Sequence, residues 1–510
     1  MKEYRCQGVI TVFLSLISVL FLSLICTLAE SARVQGAKAW AAAVTDMGVF
    51  SVFGEYERDI LEKYNVLFLD GAYGSGEFLP ERTTLKIKDY MNYNINPEQD
   101  LMKLGELKMF PLLLENIEIP KYTLATDENG AAFYQQAVRN LKENIGAELV
   151  AKYLEESKQA NDMEQAAKDY EEEGELADKE LAEMERQAEA NAAAEEAETE
   201  TTGTDNEDET EAETEAVTPV ENPLEALAKI KEQGILNLVV KDPSSISTKE
   251  IELGEYPSKR ELVKGNQPVE RKESGILADA LFSQYLLEHF PLMTDRENGG
   301  VLNYQLEYIL MGKNSDIENL KSVVHRLLLL REGANFLYAM GDSQMRSEAN
   351  TLGTAIAAAI KMPMFAQVIS IALLLGWAYG ESLLDVRTLL AGGKVPLMKS
   401  KETWQLSLAN LGRLLEILTA CDEGGGQGQS YEDYLRVMLL AGGKAQYPMR
   451  ALDMIEGMGK SKGYRADHWI VDIEIETEWT IKPMFLNVAR TFLGTESSSN
   501  HYTVNGNFAY

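Results

Sequence analysis

The chain has 510 residues, 45% of them hydrophobic, so two or three domains with sizeable cores fit within it. Its formal net charge of −33 excludes nucleic acid as a partner, because a phosphate backbone would be repelled. Of three cysteines, Cys6 precedes the first apolar run, Cys26 lies within it, and Cys421 stands alone beyond it, which leaves no internal disulfide for the large remainder.

The first element is the run from Val9 to Ala29, 21 residues without a charge. As a helix it is about 31 Å long, the thickness of a bilayer's hydrocarbon core. A secretory signal has a shorter apolar region of about 7–15 residues and a small-residue cleavage site. Ala29 and Ser31, flanking Glu30, make only a weak site of that kind. Beyond Ala29 the helical pattern continues. Trp40, Ala43, Val44, Met47, Phe50 and Phe53 recur at three- and four-residue spacing, with Lys38, Asp46 and Glu55 off the stripe. The pattern predicts a retained transmembrane helix over 9–29 that continues as an amphipathic stalk over 30–66. Lys2 and Arg5 place the tail, residues 1–8, in the cytoplasm and the bulk of the chain outside. The expected location is the cell membrane, crossed once.

Residues 67–150 read as a mixed α+β segment: "LKMFPLLLENIEIPKYTLATDENG" has the composition of strands and turns, and "AAFYQQAVRNLKENIG" that of a helix. Residues 151–222 read as an acidic linker, helical at first and then disordered. From Glu171 to Glu221 there are 21 acidic and two basic side chains, so 19 of the 33 excess negative charges lie in one tract with almost nothing to bury. Ligands at ordered spacing for calcium are missing from it. Residues 223–465 form a mainly helical domain, in which two helices end in the same string, "LLAGGK", at 389–394 and 439–444. Paired glycines after an apolar helix supply a left-handed stop. "VISIALLLGWAYG" is too short between Gln367 and Glu381 for a second span and reads as a core helix. Residues 466–510 are a β segment: "HWIVDIEIETEW" alternates apolar and polar, and the Asn-Gly of "TVNGNFAY" suggests a tight hairpin turn. The fold class is therefore α+β.

Motifs that carry chemistry are weak. "EGMGKSKG" resembles the end of a phosphate-binding loop, but Met454 stands where glycine is required. "GDSQ" at Gly341 follows a helix rather than a strand, with no matching histidine and aspartate. His289, His325, His468 and His501 are scattered and lack zinc spacing. Arg331 and Glu332, and likewise Glu381, Asp385 and Arg387, sit on strongly apolar helices, where acid–base pairs normally position helices. No catalytic, cofactor-binding or metal-binding residue is expected, and no cofactor.

The stretch "GVITVFLSLISVLFLSLICTLAESARVQGAKAWAAAVTDMGVFSVFGEYERDILEKYNVLFLDGAYGSG" resembles the amino-terminal part of a bacterial membrane-anchored family of unknown function, similar in layout to the pseudopilins of Tad-type (tight adherence) pilus systems. The resemblance continues through "YTLATDENGAAFYQQAV", "LEYILMGKNSDIENLK", "WAYGESLLDVRTLLAGGKVPLMK" and "YEDYLRVMLL". In those pseudopilins a glycine precedes the apolar run, a glutamate follows five residues later, and a small-residue helix follows the span. Gly8 and "AKAWAAAVTDMGVFSVF" match; the fifth residue after Gly8 is Phe13. The resemblance implies no enzymatic activity. It makes Gly8, Phe13 and Glu30 the anchor and processing positions of interest. The expected role is a non-catalytic envelope protein, a minor component or assembly factor of a Tad-like pilus or secretion apparatus, whose partners are the membrane and other envelope proteins. The competing expectation is a membrane-tethered surface hydrolase with its site in the helical domain.

Overall fold

The computed structural model describes residues 4–95, 112–142, 147–201, 223–270, 272–295, 300–420, 426–484 and 500–510. The chain folds as two compact units, each gathered from separated stretches. Unit 1 comprises Met1–Ala137, Tyr256–Lys272 and Ile455–Tyr510, and unit 2 comprises Val138–Glu255 and Glu273–Met454. This differs from a chain divided consecutively at the acidic tract. The expected β segment at the carboxyl end is no appendage of the helical domain, because its strands pair with the amino-terminal segment.

Unit 1 contains α1 (Tyr4–Phe53), α2 (Arg58–Tyr64), β1 (Leu69–Asp70), α3 (Pro80–Ile95), β2 (Leu112–Leu124), α4 (Asp127–Lys142, shared in sequence with unit 2), β3 (Trp469–Ile481) and β4 (Asn500–Ala509). β3 is central and antiparallel to all its neighbours. β2 takes one edge from Leu112↔Ile481 to Leu124↔Ile470; β4 and the short β1 share the other. Strand alternation puts Ile473, Ile475, Thr477, Trp479 and Ile481 on one buried face, as the sequence pattern predicts for Ile473 and Ile475. Before them, where the pairing with β2 skips Val471, Ile470 rather than Trp469 joins the same apolar cluster. Pro120 falls where the β2 register shifts, between Glu118 and Lys121, a position on an edge strand where the missing N–H costs no ladder bond.

The Asn-Gly at 505–506 makes no turn. It lies in β4, paired with Glu476 and Ile475. The glycine serves the helix layer instead: a Cβ on Gly506 would stand 3.2 Å from Thr45 Cγ2, so its absence lets α1 approach the sheet closely. α1 lies over β3 and β4, α3 lies over β2, and the two helices pack on each other. Thr45 and Thr477 hydroxyls meet at 3.2 Å across that seam.

Unit 2 is helical: α5 (Ala147–Thr201), α6 (Pro223–Lys231), α7 (Ile235–Val239), α8 (Ile276–His289), α9 (Gln305–Met311), α10 (Asp316–Gly341), α11 (Ser343–Ala359), α12 (Ala366–Leu390), α13 (Leu414–Ala420), α14 (Tyr431–Ala441) and α15 (Tyr447–Met458, which runs on into unit 1 in sequence). α12 is its core: 19 of its 25 residues are buried, against α5, α6, α7, α10 and α11. Although long and apolar enough to cross a membrane, α12 is covered by protein, as expected of a core helix. Gly392 and Gly443, from the two "LLAGGK" strings, adopt φ of +86° and +61°, the left-handed stop read from the sequence.

The helical part of the predicted linker proves to be a structural helix of unit 2. α5 packs against α8, α10, α12 and α14. It does so largely through small residues, burying Ala160, Ala167 and Ala177 with Met163. Opposite them Gly333 of α10 meets the backbone of Ala166 and Ala167, where a Cβ would be only 2.5 Å away. Backbones this close bury little side-chain area, and this hides the contact from a hydrophobicity pattern. The remainder of the acidic tract, residues 202–222, lies outside the described residues.

Candidate functional site

α1 has two halves. From Val9 to Leu28 its large apolar side chains project freely: Val9 is 70% exposed, Phe13 62% and Leu28 61%. Its most apolar window has a mean hydropathy of 2.8 and no buried residue, so α1 is long and apolar enough to cross a membrane. The hydroxyls in this half bond to their own helix, Ser15 to Val12 O at 2.8 Å, Ser23 to Leu20 O at 2.8 Å and Thr27 to Ser23 O at 2.7 Å. Such bonding satisfies polar groups where no water is present. Gly8 lies within α1, one residue before the run.

Burial begins at Glu30. Its carboxylate is 3% exposed and stands 2.5 Å from Arg33 Nη2, itself on a buried side chain. Arg33 Nη2 also donates to Lys482 O at 2.6 Å, and Met484 N donates to Glu30 Oε2 at 3.2 Å. The pair thus clamps the end of β3 to α1 at the position where the bare half stops. A buried pair of this kind is costly to break, because losing one partner strands the other charge. From there Ala37, Ala41, Val44, Val49, Val52 and Phe53 enter the core. Each fully buried large side chain contributes about 1.5–3 kcal/mol. Phe53 meets the rings of Phe508 and Tyr510 at 4.5 Å and 4.9 Å.

The stalk's buried stripe is rotated from the one its aromatic residues suggest. Val44 and Phe53 are buried as expected, but Trp40 is 40% exposed and Phe50 68% exposed. Toward its partners the helix uses small side chains, Thr45 against the sheet and Gly48 against Ile87 and Met91 of α3, because close approach favours them, while Trp40 and Phe50 are left outside.

The charged residues singled out on the apolar helices separate. Arg331, Glu381 and Asp385 come together in unit 2, with Lys399 from the loop after α12. Arg331 Nη2 lies 2.9 Å from Asp385 Oδ2; Lys399 Nζ lies 2.6 Å from both Glu381 Oε1 and Asp385 Oδ1. Two positive and two negative groups thus share one dry space. Arg331 Nη1 also donates to Pro396 O at 3.0 Å and Leu397 O at 2.8 Å, while Leu406 N donates to Glu381 Oε2 at 2.8 Å. The cluster pins the 396–406 loop onto α10 and α12. Burial raises the Glu381 pKa, with Lys399 opposing and Asp385 adding to the rise. Glu332 is elsewhere, its pKa raised to about 7 by burial. Arg387 donates to Leu238 O at 2.9 Å.

The remaining motifs are structural. Asp342 of "GDSQ" caps α11, accepting from Gln344 N at 2.8 Å and Met345 N at 3.0 Å. Glu456, which opens "EGMGKSKG", ion-pairs with Arg260 and accepts from Ala466 N at 2.7 Å. Among the described residues no group of three or more His, Cys, Asp or Glu side chains is placed to hold a metal ion.

The molecule is thus a helix of membrane-spanning length and composition whose second half is built into a four-stranded sheet, together with a separate helical unit. Residues 213–481, just over half of the chain, match a family of unknown function, DUF5702, and the chain belongs to that family. The matched stretch holds most of unit 2 and β3; α1 and β2 lie outside it. No curated protein and no solved structure matches the chain.

Proposed function

We propose that this protein is a non-catalytic, single-span cell-envelope protein, a minor component or assembly factor of a Tad-like pilus or secretion apparatus. The observation that supports this reading is the division of α1 at Glu30, into a bare apolar half and a half fixed to the sheet. A tether needs only length and apolarity, and a flexible link to its domain would serve. Here the span and the sheet are joined by one continuous helix, so any lateral packing of the span is transmitted rigidly to unit 1. In lipid, helices associate through close packing and hydrogen bonds at particular positions, without a hydrophobic drive. The span packs among other membrane helices, with the amino terminus in the cytoplasm, and the outer units meet partners outside.

The test is to replace residues 9–29 with an unrelated apolar span of equal length. Membrane location should survive, while pilus assembly or partner co-purification should fail. Full function with the swapped span contradicts the reading and leaves a plain tether. A separate test addresses processing. Gly8→Ala blocks any cut after that glycine, and because Phe13 occupies the usual glutamate position no change in protein size is expected. A size change would show that a prepilin peptidase accepts this chain.

A further inference from the structure

Unit 2 has a surface for which the anchor-based role has no use. α5, α6, the end of α11 and the start of α12 enclose a groove of about 640 Å³. Its floor is apolar, with Leu181, Met184, Leu224, Leu227, Ile360 and Ile369. Its rim is acidic: Glu171, Glu175, Asp178 and Glu185 from α5 and Glu225 from α6. Lys231 is the one cation among the described lining residues. Its ammonium sits 5.2 Å from the Tyr379 ring centroid and is drawn to the buried Glu332. Among the described residues Glu171, Asp178, Glu185 and Glu225 form no ion pair, and Glu175 meets only Lys179, at 3.6 Å on the open surface.

We infer that this groove docks a basic amphipathic helix belonging to a different protein. α5 borders it from Tyr170 to Glu185, roughly 22 Å or four helical turns, a length that suits a docked helix. A helix laid there would set its apolar stripe on the leucine and isoleucine floor and its flanking Lys and Arg side chains against the unpaired carboxylates. Charge excludes the nearest alternatives. Residues 202–222, which link two of the groove's walls in sequence, carry eight acidic and no basic side chains. A second copy carries the same net charge of −33 and the same acidic rim. An anionic lipid surface would be repelled by the same rim.

The probe is a fluorescein-labelled Leu/Lys amphipathic helix of about four to five turns, with a scrambled peptide of the same composition that has no apolar stripe. It is titrated by fluorescence anisotropy into the full chain held in nanodiscs of neutral lipid. The amphipathic peptide should bind, and the scrambled one should bind at least about tenfold more weakly, because only the former presents a continuous apolar face. Glu175→Lys with Asp178→Lys should weaken binding about tenfold, whereas Glu252→Lys with Glu348→Lys, the same change in net charge on exposed positions elsewhere in unit 2, should change it less than about twofold. Leu181→Asp with Leu224→Asp, both half-buried in the groove, should abolish it. All of these positions are open to solvent at least in part, and an unchanged far-UV circular dichroism spectrum confirms that the variants fold. The proposal is overturned if the scrambled peptide binds equally well, if the distant pair weakens binding as much as the rim pair, or if the wild-type chain instead self-associates through this face.

Discussion

The two units are built on different principles. Unit 1 joins stretches far apart in the chain around one large apolar cluster, with β2 and β3 paired although more than 340 residues separate them. One of its buried ionic contacts, Glu30–Arg33, lies where α1 leaves the sheet, and another joins Arg260 to Glu456 and to the fully buried Asp467. Unit 2 is made of helices that follow one another, and at its centre four charges cancel. In unit 1, then, buried charge joins stretches distant in the chain, α1 to the residues after β3 and the 256–272 stretch to Glu456 and Asp467. In unit 2 it fixes a loop that apolar contacts alone would leave free to slide.

The largest effect should come from breaking the charge balance of unit 2. Asp385→Ala leaves Arg331 and Lys399 to share Glu381, and unfolding by urea should show a loss of about 3–5 kcal/mol. A loss under about 1 kcal/mol would mean that water reaches the cluster and that it is not a dry device. Unit 1 should respond to shape instead. Gly506→Val forces a side chain against Thr45 and Ile475 and should cost about 1–3 kcal/mol, read from the thermal melting of that unit.

The acid response sharpens the contrast further. In unit 2 the Glu307 carboxyl is fully buried, accepts from Met293 N at 2.8 Å and Tyr431 OH at 3.0 Å, and has its pKa raised by burial from 4.5 to about 7. A carboxyl that holds its proton more tightly when folded contributes stability fully present below pH 4.5 and lost as pH rises through 7. Wild-type unit 2 should therefore lose stability relative to Glu307→Gln between those values, by about 2–4 kcal/mol in a urea series over pH. An equal pH slope in both proteins would show that Glu307 titrates normally. The smallest effect is expected from deleting residues 202–222, whose composition offers nothing to bury. The melting of both units should shift by no more than about 0.5 kcal/mol equivalent. A larger loss would make that tract structural.

Much of this architecture is legible in local pattern. The alternation from Trp469 to Ile481 announces β3, and the uncharged run from Val9 to Ala29 announces the bare half of α1. What escapes is whatever depends on a partner distant in sequence. Nothing in "LLLENIEIP" names β3 as its neighbour. Asn505-Gly506 has the local chemistry of a turn, yet the helix above it requires the glycine in a strand. Small-residue seams mislead in the same way: alanine and glycine contacts make α5 resemble a solvated linker and turn the stalk's apparent stripe toward the aromatics. At the candidate site, Glu30 was identifiable as the end of the span, but its bond to a strand end more than 450 residues away was not. Lys399 carried no signal at all, because a lone lysine in a loop acquires meaning only when folding brings Glu381 and Asp385 around it.

The proposed role requires α1 to be a retained anchor with the remainder of the chain outside. Protease added to intact protoplasts, followed by mass analysis of the membrane fraction, tests it most directly. The account predicts digestion of the bulk of the chain and a surviving membrane fragment that contains residues 9–29. A full-length protected protein, or a soluble mature form beginning near Ala32, would contradict it.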